Sequence, residues 1–562
     1  MSAVVLQFFL ALVAGFFVFR LWRRVSAASR PIFWLVTVGT LVRAIGGLLG
    51  FWISYLELPV GRSLQLGRGL WFFGVDAVMY FDFSATAAAR GPIAILFLDK
   101  GLPSPFFLQV LAGAILLFGA VSSVSILLNL IAYLASCRII LSFDSPEQRR
   151  FVVFAIAALS LAPSVVVWSL QPMKDVVFFF LIVAFFGSAR KWQQLWSDPA
   201  RPFPATGALL TWSAAMAVTV YGLSGIRWYF AFMVLLASLV FFLMTIISTR
   251  RHFAAAASAL LLFVLLLSSF FAGAGSYVPP PIRAAVRNIH DTIVLPQTLV
   301  GLLASARRGF DRSGGATLIG AGGAIRKLDR NIGAKEMPVV AAPAPLPASY
   351  QQKVEIDKKR TEDAAHPDAP SATASMGAKA PAATSTAPPP GAVPAAVALA
   401  PPEATGMQQP ESEEEGASVS PGTVLMPGST AGRLIAGTAA IVLPQWVARR
   451  IGVLDVRGGR GLWLFAEVDT IFFDVVLAFA IISMIRAARQ RTLRAPVFWM
   501  IFMVTFTVGA SLAYTVSNFG TLFRHRGMFL VGLILLPVAA AGSRRVQPAT
   551  ALEAGSTDVT SL

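Results

Sequence analysis

Apolar runs of about 20 residues, each stopped by a short arginine cluster, recur along the chain and set its plan. The first, Val4 to Phe19, passes directly into Arg20-Leu21-Trp22-Arg23-Arg24. No basic residue precedes it and no small-residue cleavage site follows, so it reads as a retained helix and not as a signal peptide. The second run covers Pro31 to Leu56 and delivers residues 57–105 to the far side of the membrane. Pro105 to Leu141 is too long for one crossing. Its first part, to Ala120, is expected to lie on the membrane surface, and Val121 to Leu141 to cross.

The later runs alternate regularly. Phe151 to Leu170 follows Arg149-Arg150, and Gln171-Pro172-Met173-Lys174-Asp175 makes a tight turn before a run ending at Arg190-Lys191. Two further runs meet at a turn over Gly222 to Trp228, and the second ends at Arg250-Arg251. Ala254 to Ala274, Leu462 to Ile485 and Pro496 to Val516 follow, and a last run ends at Arg544-Arg545. This predicts an all-α, polytopic transmembrane bundle of about eleven spans. Short loops rich in Arg and Lys stay in the cytoplasm, which places the N-terminus, residues 57–105 and the 171–175 and 222–228 turns outside.

Four regions result: a transmembrane core over 1–275, an extracytoplasmic insert over 276–460, C-terminal transmembrane helices over 461–545 and a cytoplasmic tail over 546–562. Positions 337–430 are dominated by Ala, Pro, Ser, Thr, Gly and Glu. Such a stretch buries too little apolar surface to offset its ordering entropy and is expected to be disordered.

Composition narrows the class. At 56% hydrophobic and 13% charged residues, with a mean hydropathy of +0.70, the chain lacks the charge a soluble surface of this size needs. The net charge of +18 lies mostly in clusters beside the apolar runs, where it sets topology and attracts anionic headgroups; no nucleic-acid partner is expected. Cys137 is the single cysteine, which excludes an intrachain disulfide and cysteine-based zinc sites. The Ala, Pro and Arg richness points to a high-GC bacterium, and so to the inner (cytoplasmic) membrane.

Candidate chemistry gathers at the outer level. Asp76 and Tyr80 lie in the first large outer loop, Lys174-Asp175 in a later turn, Arg227-Trp228-Tyr229 in another, and Arg524-His525-Arg526 after Ser517 to Thr521. Guanidinium and ammonium groups there suit a phosphate, and a carboxylate suits deprotonation of an acceptor hydroxyl. Each has a plainer reading as a loop acid, a helix cap or a headgroup anchor. Deep in the apolar runs stand Arg43 and Asp474, which are expected to pair, because unpaired charges there are costly. Glu467 lies seven residues before Asp474 on the same helix face and extends the polar track outward.

The order of these clusters resembles the GT-C superfamily of polyprenyl-phosphate-sugar-dependent glycosyltransferases, especially the bacterial relatives of protein O-mannosyltransferases and the aminoarabinose transferase. In that family an outer-loop Asp is followed by a Tyr and an alanine-rich surface helix, matched here by Asp76, Tyr80 and Ala85 to Arg90. The later Asp-bearing turn is matched by Pro163-Ser164, Trp168 and Met173-Lys174-Asp175. The resemblance covers residues 1–250 and, more loosely, 460–540.

It implies a polyprenyl-phosphate-linked sugar donor, an extracytoplasmic acceptor and a site open to the outer leaflet. Asp76 would be the base, and Lys174-Asp175 would shape the site. Arg227 with Arg524, His525 and Arg526 would hold the lipid phosphate. Many family members carry two adjacent acids where this chain has Val75-Asp76, a departure that counts against a metal-assisted mechanism. A divalent cation stays open as a cofactor only with Asp82 as a second carboxylate, which nothing in the spacing demands. Two other functions fit less fully: an oligosaccharide polymerase or ligase that clamps an undecaprenyl diphosphate, and a transporter or flippase of lipid-linked sugars.

Overall fold

The computed structural model describes residues 2–71, 74, 76–98, 102–146, 148–197, 204–249, 251–274, 423–424, 430–443, 445–450, 454–455, 460–490, 495–515 and 519–541. All belong to one compact unit. Most of the region expected to be disordered lies outside the described residues. Within it, Thr423–Val424 is a short strand that pairs with Leu454–Asp455.

The described chain is a helical membrane protein. Helices α1 (Ser2–Ser26) and α2 (Arg30–Tyr55) form the first pair. Between Tyr55 and α6 lie a hairpin, β1 (Gln65–Gly67) and β2 (Leu70–Trp71), and the helices α3 (Asp76–Ala89), α4 (Pro92–Leu96) and α5 (Pro105–Phe118). Then come α6 (Val124–Leu141), α7 (Arg149–Leu161), α8 (Pro163–Trp168), α9 (Asp175–Ser197), α10 (Thr206–Ser248) and α11 (His252–Ala274). Within the last part of the 276–460 insert lie α12 (Thr430–Val442) and α13 (Gln445–Arg450), followed by α14 (Arg460–Arg489), α15 (Pro496–Thr515) and α16 (Phe519–Ala541). Among the described residues, 7 helices are long and apolar enough to cross a membrane.

Local sequence explains the boundaries. Prolines open α2, α4, α5, α8 and α15, where a missing N–H costs nothing. Arg23 and Arg24 close α1, placing charge against its negative end. Gly119, at φ 98°, stops α5 and allows α6 to start in a new direction. The surface helix and crossing helix expected over Pro105 to Leu141 are thus two elements.

Contacts fix the run of the long helices. As one straight rod the 43 residues of α10 would be about 65 Å long, twice the hydrocarbon thickness of a bilayer. At Arg227, φ −147° and ψ 83° leave the helical region. Gly222, before that point, packs on Leu181 near the start of α9. Beyond it, Phe230 meets Phe178, and Phe241 and Phe242 meet Trp192 near the end of α9. The chain therefore reverses at Arg227, in the turn expected from sequence. α11 returns beside it, with Phe270 against Phe232 and Gly273 pressed on Tyr221 and Ser224, too close for a side chain.

Two ends of the bundle follow from these contacts. One, here the Asp175 end, gathers the hairpin, α3 to α5, the start of α9 and the Arg227 reversal. At the opposite, Arg149 end, Arg149 donates to the Ala28 carbonyl and Gln148 to the Val538 carbonyl.

Candidate functional site

The hairpin places Asp76. Its two-residue turn, Arg68-Gly69, has φ 56° and 80°, the mirror-image turn that suits strand twist. Ser54 of α2 donates to the Leu70 carbonyl at 2.6 Å, Ser122 donates to the Arg68 carbonyl at 2.7 Å, and the Trp71 indole donates to the Gly50 carbonyl at 2.9 Å. The Gln171 side chain accepts from the Trp71 N–H and lies against Gly74, where any Cβ would collide with it. Leu70 and Ala77 pack with Met173. The segment carrying Asp76 is therefore stapled to the turn carrying Lys174-Asp175, 98 and 99 residues later in the chain. Asp76 opens α3 and is buried.

Around that junction lie further sequence-distant groups. Lys174 Nζ donates to Ser104 Oγ at 2.6 Å and stands 5.5 Å from the centre of the Tyr80 ring, which packs edge-on against Phe107. Ser104 Oγ in turn donates to the Ile226 carbonyl, next to the reversal in α10. Arg227 Nη2 bonds the Asp175 carboxylate at 2.6 Å, and both side chains are almost wholly buried. Arg227 also lies over Phe178 and reaches Tyr229 and the Met528 sulfur. The structure thus brings Tyr80, Lys174, Asp175 and Arg227 together, with Asp76 on the adjoining segment.

The Arg526 side chain has other partners. The expected loop over 517–526 is helical from Phe519 onward, and Arg526 is 1% exposed inside α16. It donates to Thr470 Oγ1 at 2.6 Å and to the Ala440 carbonyl at 2.8 Å. Three acids of α14, Glu467, Asp469 and Asp474, lie within electrostatic reach of it. That need for a buried counter-charge explains why this polar stretch folds inward. Glu467 also accepts from the Trp446 N–H, which ties α13 to α14. The Arg524 and His525 side chains lie outside the described residues.

The expected pairing of Arg43 with Asp474 is not what the structure contains. Arg43 donates to the carbonyls of Leu159 at 2.9 Å and Ser160 at 3.0 Å, and to Gly39 of its own helix, with its guanidinium 4.1 Å from the Tyr133 ring centre. The cause is Pro163. It has no N–H to offer the Leu159 carbonyl four residues back, and the bend at Ala162 breaks the helix between α7 and α8. On the other side of the break, the Ser164 N–H donates to Asp469 at 2.8 Å. Arg43 and Asp469 repair the two faces of one broken helix. Asp474 faces Arg526 instead.

Asp82, a possible second carboxylate, bonds Arg68 at 2.8 Å on the exposed surface. Among the described residues, no three His, Cys, Asp or Glu side chains gather as a metal-holding group. Sequence reading missed Ser104, Gln171 and Thr470, and placed Asp469 beside Glu467 near the outer end of its apolar run without assigning it a partner. Pro163 was the available signal for Asp469, since a break inside an apolar run leaves backbone groups that need polar partners. No family model, curated protein or solved structure matches the chain. What fold and site define is a class: a multi-pass helical membrane protein with a polar cluster built at one end of its bundle.

Proposed function

We propose that the chain is an integral membrane glycosyltransferase of GT-C type, moving a sugar from a polyprenyl-phosphate-linked donor to an acceptor outside the bacterial inner membrane. In this reading α1, α2, α6, α7 with α8, α9, both halves of α10, α11, α14, α15 and α16 make eleven spans, and the Asp175 end faces outward. The observation that carries it is the convergence of Tyr80, Lys174 and the Asp175–Arg227 pair beside the segment bearing Asp76.

In this reading the residues take the following roles. The Asp76 carboxylate takes the proton of the acceptor hydroxyl as its oxygen attacks the anomeric carbon. The bond from that carbon to the phosphate oxygen breaks, and polyprenyl phosphate departs with the negative charge. Lys174, partly exposed, meets that charge. Arg227 is already held by Asp175, so it acts chiefly by fixing the start of α9, from which Lys174 projects. The resemblance assigns the rest of the phosphate contact to Arg524 and His525. A transporter fits less well: such proteins use broken helices to expose backbone groups to cargo, whereas those of the α7–α8 break go to Arg43 and Asp469.

The test is an envelope glycan or lipid-modification assay on cells carrying Asp76→Asn or Arg524→Ala in normally inserted protein. The expected outcome is loss of the modification in the first and a marked fall in the second. Full activity in both contradicts the proposal, and full activity in Asp76→Asn alone points to a diphosphate clamp of the polymerase or ligase kind.

A further inference from the structure

We infer that a cleft at the Arg149 end of the bundle binds the phosphate of an anionic membrane lipid. The cleft has a volume of about 880 Å³ and opens between the starts of α2 and α7 and the ends of α14 and α16. It is remote from the cluster at the Asp175 end, and the inference is independent of the function proposed above.

Among the described residues, three guanidinium groups from two distant segments line it: Arg149 and Arg150 on α7, and Arg486 on α14. No Asp or Glu lines it among the described residues. Arg149 spends one nitrogen on the Ala28 carbonyl, and Arg150 is held over the Phe151 ring at 4.7 Å. A guanidinium has five N–H donors, so most of this donor capacity remains for an anion, which planar guanidinium groups grip bidentately.

A second observation comes from Ser29, in the wall of the cleft. It stands at the N-cap of α2, where a serine hydroxyl ordinarily bonds the first turn, yet its side chain caps nothing and its shielded hydroxyl has no partner. The first turn of α2 thus meets the cleft without a side-chain cap, and a phosphate there supplies a counter-charge for the helix's positive end.

The surroundings select a lipid over a soluble anion. Ile482 and Ile485 lie four and one residues before Arg486, share or border its helix face, and are 48% exposed each. A cationic mouth bordered by bare isoleucines matches a ligand with a charged head and apolar tails.

The full chain in phosphatidylcholine nanodiscs is titrated with short-chain phosphatidylglycerol, short-chain phosphatidylcholine of equal length, or inorganic phosphate, and bound ligand is counted by native mass spectrometry. Phosphatidylglycerol is expected to be retained and phosphatidylcholine not. The R149Q/R150Q/R486Q variant is expected to lose phosphatidylglycerol retention at least tenfold, while R23Q/R24Q, basic residues at the same end but outside the cleft, keeps it. Should the triple variant fail to insert, Arg486→Gln alone, at an exposed position, is expected to cost about fivefold. Equal loss in R23Q/R24Q, unchanged retention in the cleft variants, or inorganic phosphate binding as tightly as the lipid overturns the inference.

Discussion

Arg227 and Asp175 form a buried ion pair at 2.6 Å, joining the point where α10 reverses to the first residue of α9. Neither side chain has water to fall back on. Removing one partner leaves the other buried without its counter-charge, a cost of about 3–5 kcal/mol, whereas replacing both with apolar groups of similar size is far milder. Arg227→Met or Asp175→Leu alone is therefore expected to unfold well below the wild type in detergent, and D175L/R227M to recover most of the loss. Thermal unfolding of the three variants checks this. If the double variant is no better than the worse single one, the pair does more than satisfy itself.

The α7–α8 break makes a second case. Arg43→Leu leaves the Leu159 and Ser160 carbonyls without their donor, at about 1–3 kcal/mol for each buried group. Pro163→Ala supplies an N–H that competes for the Leu159 carbonyl. The Arg43 substitution is thus expected to cost less in the Pro163→Ala background than in the wild type, by at least 1 kcal/mol in a double-mutant cycle. Equal costs in the two backgrounds count against the account of the break.

These two relationships mark how far the sequence could be read. The helical class, the need for two helices over Pro105 to Leu141 and the turn near Arg227 were legible, because apolar length and arginine punctuation report directly on the bilayer; the break itself, at Gly119, was not. The partner of Arg43 was not. Depth in the membrane places two charges at a similar level, but only packing shows that α2 lies against α7 and that a proline there has left carbonyls to fill. Arg526 was read as a loop residue from its polar neighbours. Its burial depends on acids of α14, more than 50 residues earlier in the chain. The cluster residues at the Asp175 end were legible by type, and Ser104 was missed because a lone serine carries no signal without Lys174 beside it.

Orientation has its own test, made clean by the single cysteine. Cys137 is the chain's one cysteine, so a Cys137→Ala background carries no thiol. Arg90→Cys follows α3 at the Asp175 end, and Ser142→Cys follows α6 at the Arg149 end; both positions are exposed. A membrane-impermeant maleimide added to intact spheroplasts is expected to label Arg90→Cys and to label Ser142→Cys only after lysis. The reverse pattern would put the cluster in the cytoplasm, away from any extracytoplasmic acceptor.

Turnover of the donor reports on the chemistry itself. The full chain, reconstituted with a polyprenyl-phosphate-linked sugar and a membrane extract as acceptor source, is expected to release polyprenyl phosphate. Asp76→Asn is expected to slow that release by at least about a hundredfold, the usual worth of a general base, while Arg68→Gln at the exposed pair with Asp82 leaves it unchanged. A folded Asp76→Asn protein that releases polyprenyl phosphate at the wild-type rate would contradict the account.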